Sequence, residues 1–252
     1  MRRVELSEIL DGWLEPERFR DVGENGLQIE GSDVVENVIC GVTANLALIE
    51  KAIEEKAQAI VVHHGLVWGG GIRHLKGWLK KRVALLLEND ISLFAYHLPL
   101  DAHPTLGNNA GLADALGLMQ ESRVPFGDFK NQLIGCRGEL DDELSFKAMQ
   151  ERVQAQVGPP ICAFGDDDRI IKSIALCSGG APDLIHEAIE AGVDLFLTGE
   201  TTEFSKALAD EAGICFIAGG HHHTERFGAQ RLALALQKEG LNARFVDVEN
   251  PA

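Results

Sequence analysis

Three segments of the chain carry most of its histidines, and each follows a run of apolar residues. They are residues 61–65, 94–103 and 218–225. Imidazoles and carboxylates gathered where strands end are typical of a divalent-metal site in an α/β protein, because the carboxyl ends of parallel strands meet at one edge of the sheet. The types and spacing of these residues therefore predict that the chain binds metal, and hydrolysis is the chemistry that such a site most often supports.

Two metal ions fit these segments better than one. Adjacent side chains of a strand point to opposite faces, so His63 and His64 would share one ion only with difficulty. At the frayed end of a strand the two imidazoles can splay toward two ions instead. Asp101 would add a carboxylate and His221 another imidazole. Glu225, four residues after His221 and therefore on the same side of a helix, would bridge both ions.

Further residues are expected to support these ligands. Glu200 follows a strand of the second half, at the position equivalent to the His63–His64 pair, where its carboxylate would act as a general base or orient a ligand. We expect Glu225 and Glu200 to be the catalytic groups. His97 and His222 are expected to lie behind the ligands and to orient them rather than to bind metal.

The mixture of ligand types narrows the choice of metal. Imidazole nitrogen together with carboxylate oxygen suits Zn²⁺, Mn²⁺ or Fe²⁺, whereas Ca²⁺ and Mg²⁺ prefer oxygen ligands alone. We therefore expect two divalent ions of this kind per chain. Two ions about 3.5–4 Å apart can lower the pKa of a shared water toward neutrality and polarise a carbonyl, phosphoryl or amidine-type carbon.

Each of these signals also has a structural explanation. A His-His pair after an apolar strand can be a hydrogen-bonded structural element. Asp101 could be an N-cap or turn residue, and Glu225 could be an exposed acid that favours the start of a helix. Glu200 could likewise be a capping carboxylate. Their joint placement at three strand ends favours the metal site. The other histidines are expected at its rim or on the surface: His74, His103, His186 and His223.

Strand and helix patterns alternate along the chain and predict the elements that position these residues. A short apolar strand over 59–62 is followed by a helix over 79–88, and a helix over 143–157 is followed by a strand over 170–177. Such alternation is typical of α/β folds, in which crossover helices connect the strands of mostly parallel, mixed sheets.

A pattern in the first half of the chain recurs in the second. Helix 49–54 and its following strand match helix 185–190 and its following strand, and the spacing His97-x3-Asp101 matches His221-x3-Glu225. We therefore predict two similar, intertwined α/β lobes from an internal duplication, covering residues 1–125 and 126–252. Because no Gly/Ser-rich linker separates the halves, we expect the lobes to pack closely.

Composition and charge narrow the possible functions. A net charge of −16 argues against a general nucleic-acid-binding surface, which needs many exposed cations. No apolar run approaches the ~20 residues of a membrane span, and the first residues lack the apolar core of a signal peptide. Five cysteines without a C-x-x-C pair are typical of reduced thiols. We therefore expect a cytoplasmic protein without a nucleic-acid or membrane partner.

Six short segments resemble the Nif-three-like proteins, also called GTP cyclohydrolase I type 2 homologues. The resemblance covers nearly the whole chain and is to the short bacterial form, which has no domain inserted between its halves. The segments that carry it are Asn25-Gly26-Leu27-Gln28, Val62-His63-His64-Gly65, Tyr96-His97-Leu98-Pro99-Leu100-Asp101, Gly107-Asn108-Asn109, Thr198-Gly199-Glu200 and Gly220-His221-His222 through Thr224-Glu225-Arg226.

The resemblance implies two similar α/β lobes, a dinuclear metal site and a homohexameric toroid whose sites face an internal cavity. It also implies that His97 lies near the metal. The consecutive histidines of this chain make the register ambiguous, so that His222 is an alternative ligand to His221, although the spacing of four before Glu225 favours His221. The residues at the family's ligand positions are His63, His64, Asp101, His221 and Glu225.

Two functions follow from the resemblance. The first is a metal-dependent hydrolase acting on a small molecule, namely GTP or a related nucleotide or heterocycle, by opening the purine imidazole ring at C8 with loss of formate. The second is a metal-binding, ring-shaped scaffold or regulatory protein without turnover of its own. Ligand substitutions would abolish turnover in the first and disturb assembly or partner binding in the second. A metal-dependent oxidase would need a redox-active metal, so full activity with zinc would exclude it.

Overall fold

The computed structural model describes all 252 residues of the chain. The α-helices are α1 Arg3–Leu14, α2 Leu46–Glu54, α3 Gly77–Glu88, α4 Leu98–Ala102, α5 Asn108–Leu116, α6 Phe146–Gln156, α7 Ile185–Ala191, α8 Ser205–Ala212, α9 His221–Thr224 and α10 Arg226–Lys238. The β-strands are β1 Gly26–Ile29, β2 Asn37–Thr43, β3 Ala59–His64, β4 Ser92–Ala95, β5 Val124–Asp128, β6 Leu133–Ser145, β7 Cys162–Phe164, β8 Ile170–Cys177, β9 Leu195–Thr198, β10 Cys215–Ala218 and β11 Asn242–Phe245.

The chain divides into two compact units. The first unit comprises Met1–Leu100 and Gly228–Glu249, and the second comprises Asp101–Phe227 and Asn250–Ala252. These units differ from the predicted division into 1–125 and 126–252. The chain enters the second unit within α4 and returns to the first within α10, because β11 pairs with β2 and so completes the first sheet.

The first unit is built on a five-stranded sheet in the order β1-β4-β3-β2-β11. Its pairings are parallel except that β1 runs antiparallel to β4. Helix α2 begins where the side chain of Asn45 accepts a hydrogen bond of 2.9 Å from the Leu48 amide. Apolar side chains of α2 and α3 then pack in one core cluster with Ile39 of β2 and Ile60 of β3. The sheet thus holds the carboxyl ends of β3 and β4 at neighbouring positions.

The second unit is built on a six-stranded sheet in the order β5-β6-β8-β9-β10-β7. Strands β8, β9 and β10 are parallel, and the other three pairings are antiparallel. Successive residues of β8 alternate between two core clusters: Ile174 and Leu176 belong to one, and Ala175 belongs to the other. Two mixed sheets are therefore confirmed, whereas the prediction of mostly parallel strands holds only for the first.

Both sheets contain the same connectivity. In the first unit, the parallel strands β2, β3 and β4 lie in chain order, and β1, which precedes them in the chain, runs antiparallel beside β4. In the second unit, β8, β9 and β10 lie in chain order, and β7, which precedes them, runs antiparallel beside β10. The two arrangements are therefore topologically equivalent over these strands.

Some element boundaries differ from the sequence prediction. The helix predicted over 143–157 begins at Phe146, because Leu144 and Ser145 extend β6 by pairing with β8. The side chain of Ser145 caps the helix by accepting a hydrogen bond of 3.2 Å from the Ala148 amide. The short strands β1, β5 and β7 and the short helices α4 and α9 have no periodic pattern of their own and were not predicted. None of the helices has the length and apolar character needed to cross a membrane.

Candidate metal-binding residues

Two histidines lie at the carboxyl end of β3 in the first unit. His63 is fully buried and His64 is half-buried. Although neighbouring side chains of a strand normally diverge, the two rings lie 4.5 Å apart between centroids with a 45° interplanar angle. The position of His64 at the last residue of the strand allows this approach, because no ladder continues beyond it.

The hydrogen bonds of these two rings orient them. His63 Nδ1 lies 3.0 Å from the backbone oxygen of Tyr96. A carbonyl can only accept a hydrogen bond, so Nδ1 donates and Nε2 carries the ring's lone pair in the neutral imidazole. His64 Nδ1 lies 3.1 Å from the hydroxyl of Thr43, which faces it across the β2–β3 pairing. In metal sites, the imidazole ligands are typically held in place by hydrogen bonds of this kind.

His97 follows β4 and completes a group of three imidazoles in the first unit. One ring nitrogen from each of His63, His64 and His97 lies within 4.8 Å of the other two. His97 Nδ1 lies 2.7 Å from Asp21, whose carboxylate is almost fully buried. Burial by itself would raise the pKa of Asp21, but the hydrogen bond and charge of His97, together with the side chain of Asn25, hold that pKa well below its ordinary value. Sequence reasoning did not find Asp21.

Trp68 forms an aromatic wall beside these imidazoles. The centroid of its indole lies 5.1 Å from the ring of His97 in an edge-on arrangement and 5.9 Å from the ring of His64. A backbone bridge to Gly23 and a hydrogen bond of 3.0 Å from the indole nitrogen to the Gly65 oxygen fix its position. About a third of the residue (36%) is nevertheless exposed to solvent.

In the second unit, Asp101 is buried within a network of polar side chains. Its Oδ1 accepts hydrogen bonds from Asn108 Nδ2 at 2.9 Å and from Ser178 Oγ at 3.1 Å. Asn109 ties the same loops together, because its amide nitrogen donates to the Ile134 oxygen and its Oδ1 accepts from the Ser178 amide. Asp101 is thus held in a fixed orientation by hydrogen bonds, and it is not a simple turn residue.

His221 lies between two carboxylates of the second unit. Its Nε2 is 3.2 Å from Glu225 Oε1, and its Nδ1 is 2.6 Å from Glu200 Oε1. Burial by itself would lower the pKa of His221, but the hydrogen bonds and charges of Glu225 and Glu200 outweigh it and raise the pKa to about 9. Glu200 therefore contacts the ring nitrogen of His221 that Glu225 does not contact. His222 instead packs its ring against that of His223, with centroids 6.0 Å apart.

Glu225 and Asp101 bring two carboxylates together in a buried position. The residues are 3% and 6% exposed, and their nearest carboxylate oxygens lie within 4.8 Å of one another. At an effective dielectric constant near 20, two negative charges at this separation repel by about 3 kcal/mol. A buried pair of this kind needs a positive charge, which the protonated His221 or a metal ion can provide.

The loop after β8 shapes this part of the second unit. Gly179 has a φ of +67°, and a Cβ there would lie 2.2 Å from Glu225 Oε1. Thr224 Oγ1 accepts a hydrogen bond of 3.0 Å from the Gly179 amide, so the same glycine also fixes the short helix that carries His221. Sequence reasoning did not find Ser178 or Gly179. Their position directly after a strand, the signal used for the histidines, would have identified them.

An α/β protein with imidazoles and buried carboxylates at its strand ends is a candidate metal-binding protein. A model of the Duf34/NIF3 (NGG1p interacting factor 3) family matches residues 1–251, and the chain belongs to this family. The match confirms the resemblance found in the sequence. The buried groups of histidine, aspartate and glutamate are consistent with a metal site.

Bacterial relatives match along nearly the full chain. A protein of Neisseria meningitidis serogroup B is 43% identical over 235 residues, which cover 93% of this chain and 92% of the relative. A protein of Yersinia pestis is 40% identical over 258 residues, which cover both chains completely. Both are named GTP cyclohydrolase 1 type 2 homolog.

Solved structures show the same fold. The protein ybgI, described as of unknown function, has a TM-score of 0.92 and 36% identity, with full coverage of both chains. TTHA1606 from Thermus thermophilus has a TM-score of 0.85 and 33% identity, covering 100% of this chain and 99% of its own. Reduced HcgD from Methanocaldococcus jannaschii has a TM-score of 0.80 and 26% identity, covering 99% and 98%. The chain therefore has the NIF3-like fold.

Proposed function

We propose that this protein is a metal-dependent hydrolase that acts on GTP or a related nucleotide or heterocycle. Its ligands would be side chains predicted from the sequence, and they would bind two ions of Zn²⁺, Mn²⁺ or Fe²⁺. The names of the relatives from Neisseria meningitidis and Yersinia pestis support the choice of GTP as the first substrate to test.

The proximity of the buried Asp101 and Glu225 carboxylates carries this proposal. Their oxygens lie within 4.8 Å of one another, and the repulsion between them would be relieved by a divalent ion. Imidazole ligands in addition to these carboxylates favour Zn²⁺, Mn²⁺ or Fe²⁺ over Mg²⁺ or Ca²⁺. The donor set of each unit therefore fits such metals.

The residues at the proposed site would have different roles. When bound, the metal ions supply Lewis acidity that activates a water molecule for attack on the substrate. His63 presents Nε2 because its Nδ1 donates to the Tyr96 oxygen. Glu200 holds Nδ1 of His221 at 2.6 Å, so it keeps that imidazole oriented and stabilises the positive charge that develops there. Glu225 contributes its carboxylate from a position shielded from solvent.

Trp68 and a basic segment of the chain are consistent with a substrate that is planar and anionic. The accessible indole beside His97 and His64 suits stacking against a heterocycle. The segment 73–82 that follows it has five lysines and arginines and no acidic residue, in a chain of net charge −16. Positive charge in this segment would attract a nucleotide phosphate.

The duplication and the assembly belong to the same proposal. We propose that the two units arose from one ancestral unit, which the shared strand connectivity supports.

We also propose that the protein assembles as the homohexameric ring that the sequence resemblance implies. The molar mass in solution, measured by light scattering, tests the assembly: six chains of 27.4 kDa are expected, and a monomer would contradict the ring.

The hydrolase is tested by GTP turnover with defined metals. The protein is stripped with a chelator, reloaded with Zn²⁺, Mn²⁺ or Fe²⁺, and followed by the loss of purine absorbance and by formate release. We expect turnover that depends on metal and that is lost in Glu225→Ala. Glu203→Ala, at an exposed acidic residue, is the matched control and should retain wild-type turnover.

Absence of turnover with every metal, despite about two bound ions per chain, would exclude GTP as the substrate. The scaffold alternative would then predict a different effect of Glu225→Ala. In a scaffold, that substitution changes the molar mass of the assembly or its binding partners. In a hydrolase of another substrate, it leaves the molar mass unchanged and abolishes turnover of that substrate.

A further inference from the structure

We infer that Gln28 is a positioning residue that fixes Trp68 as the surface on which a planar heterocycle binds. This inference rests on the proposed function, because the heterocycle is the base of the substrate proposed there. It goes beyond that proposal by naming the side chain that holds the indole in place. Gln28 acts through Trp68 and does not itself contact the substrate.

Gln28 is the extra residue of a β-bulge in β1. Its neighbours Leu27 and Ile29 pair with successive residues of β4, which leaves Gln28 without a partner in that strand. A bulge bends its strand and redirects the side chain of the extra residue, and bulges are frequent beside active sites. Here the bulge directs the side chain of Gln28 toward the loop that follows β3 and carries Trp68.

The side-chain amide of Gln28 holds the backbone of this loop. Oε1 accepts hydrogen bonds of 2.7 Å from the Leu66 amide and 3.1 Å from the Val67 amide, and Nε2 donates to the Glu24 oxygen at 2.6 Å. The approach is so close that a Cβ on Gly65 would lie 2.3 Å from Gln28 Oε1. Because both ends of the amide are bonded, its orientation and the path of the loop are fixed together.

Trp68 is held on both sides by the same part of the fold. The residues before and after it are bonded to segment 22–24, through the Val67 oxygen at 3.1 Å and the Gly69 amide at 2.8 Å. The indole itself is seated against Gly23, where a Cβ would lie 3.1 Å from Trp68 Cζ3. The position of the indole therefore depends on the loop that Gln28 holds.

The hydrogen-bonded support ends soon after Trp68. Residues 72–76 are all exposed, and they make a single backbone hydrogen bond, in which the Lys76 oxygen accepts from the Lys80 amide. The support is thus concentrated on the indole, which lies 5.9 Å from the ring of His64. A flat ring fixed beside candidate metal ligands suits stacking, because a preorganised partner loses little conformational freedom on binding.

A methionine at position 28 tests this role against a closely matched control. Gln28→Met keeps the length of the side chain and removes its hydrogen bonds. Gln58 is also half-buried and lies at the opposite end of β3, where its Oε1 accepts from two successive backbone amides and its Nε2 donates to the Lys56 oxygen. Gln58→Met therefore removes the same kinds of hydrogen bond far from Trp68 along the strand. Melting temperatures check that both variants fold.

The position of the indole is measured by fluorescence. Trp13→Phe and Trp78→Phe leave Trp68 as the single tryptophan of the three in the chain, and acrylamide quenching then reports how accessible its ring is. We expect a higher quenching constant in Gln28→Met and an unchanged one in Gln58→Met. A wild-type quenching constant in Gln28→Met, or an equal rise in both variants, would overturn the inference.

The effect on the substrate is measured as KM for GTP in metal-loaded protein. Gln28→Met should raise KM about fivefold or more at unchanged metal content, whereas Gln58→Met should not. Because Gln28 acts through Trp68, the double variant Gln28→Met/Trp68→Ala should have the KM of Trp68→Ala alone. A KM that rises by the product of the two single effects would overturn the inference. Absence of GTP turnover in the wild type would instead defeat the proposed substrate, and the acrylamide comparison would then decide the role of Gln28 by itself.

Discussion

His221 Nε2 lies 3.2 Å from the carboxylate of Glu225. In the metal-free protein this contact is an ion pair, because Glu225 and Glu200 overcome the effect of burial and raise the pKa of His221 to about 9. A metal ion can bind the imidazole only after that proton has left. Proton and metal therefore compete for the same nitrogen.

This competition predicts that metal affinity depends on pH. Because the folded-state pKa of His221 is about 9, binding a metal below that pH releases a proton from this residue. The affinity should rise about tenfold for each pH unit up to about 9 and then level off. Titrations with Zn²⁺ or Co²⁺ in a competing chelator between pH 7 and 9.5 measure this slope.

Glu200→Gln provides the variant for this experiment. It removes one of the two carboxylates that raise the pKa of His221. The pH above which the metal affinity no longer rises should therefore be lower than in the wild type. Glu203→Gln, an exposed acid in the same loop, should leave the curve unchanged. A metal affinity that is independent of pH between 7 and 9 would show that His221 does not bind the metal.

The same pair makes the stability of the metal-free protein depend on pH. A histidine whose pKa is raised in the folded state stabilises it fully below its unfolded pKa of about 6.5, and the contribution is lost as pH rises through the folded value. The free energy of unfolding of metal-free protein should therefore fall between pH 6.5 and 9, the range set by the raised pKa. Urea titrations at these pH values measure it, and a smaller fall is expected for Glu200→Gln.

Gly179→Ala should displace Glu225, a candidate metal ligand of the second unit. A methyl group would approach Glu225 Oε1 to 2.2 Å at a backbone position with φ of +67°, so either the carboxylate or the loop must move. We expect a loss of about 1–3 kcal/mol in the free energy of unfolding from strain and displacement, together with weaker metal binding. Gly192→Ala has a similar φ of +69° with open space around its Cβ and controls for backbone strain alone. Equal metal affinity in the two variants would contradict the proposed role of Glu225.

Trp68→Ala should weaken substrate binding more than metal binding. The indole flanks His97 and His64 without donating a ligand, and stacking on a base contributes about 1–3 kcal/mol. We expect KM for the nucleotide to rise about 5–100-fold while the metal content is unchanged. Trp13→Ala, at a half-buried tryptophan of α1, is the control. If KM rose equally in both variants, Trp68 would have no special position at the site.

Strand ends were predictable because they depend on local sequence. The apolar runs before His63–His64 and before His221 are long enough to form strands, and a polar residue that follows such a run must lie at the strand's end. The prediction was correct for β10, whereas β3 extends two residues beyond the predicted strand, so that His63 and His64 are its last residues. The boundary between β6 and α6 was less predictable, because Leu144 and Ser145 are held in the strand by pairing with β8.

The residues that orient the candidate ligands could not be found in this way. Asp21 contacts His97 and Ser178 contacts Asp101 across separations of 76 and 77 residues. No periodicity connects positions so far apart, and aspartate or serine in a loop is common for other reasons. The division of the chain into units could not be predicted from the sequence for a related reason. Strand β11 joins the first sheet by pairing with β2, a strand near the other end of the chain.

The sequence by itself therefore determined the family, the α/β class and the candidate donor side chains, because motif spacing and apolar periodicity are local properties of the chain. The tertiary structure alone decided which nitrogen of His63 is bonded to a backbone carbonyl, that the ring of His221 lies between the carboxylates of Glu225 and Glu200, and that Asp101 and Glu225 share a buried position. These features depend on hydrogen bonds and burial among distant residues. The physical reason is that tautomers, pKa values and charge repulsion are set by the neighbours that folding brings together.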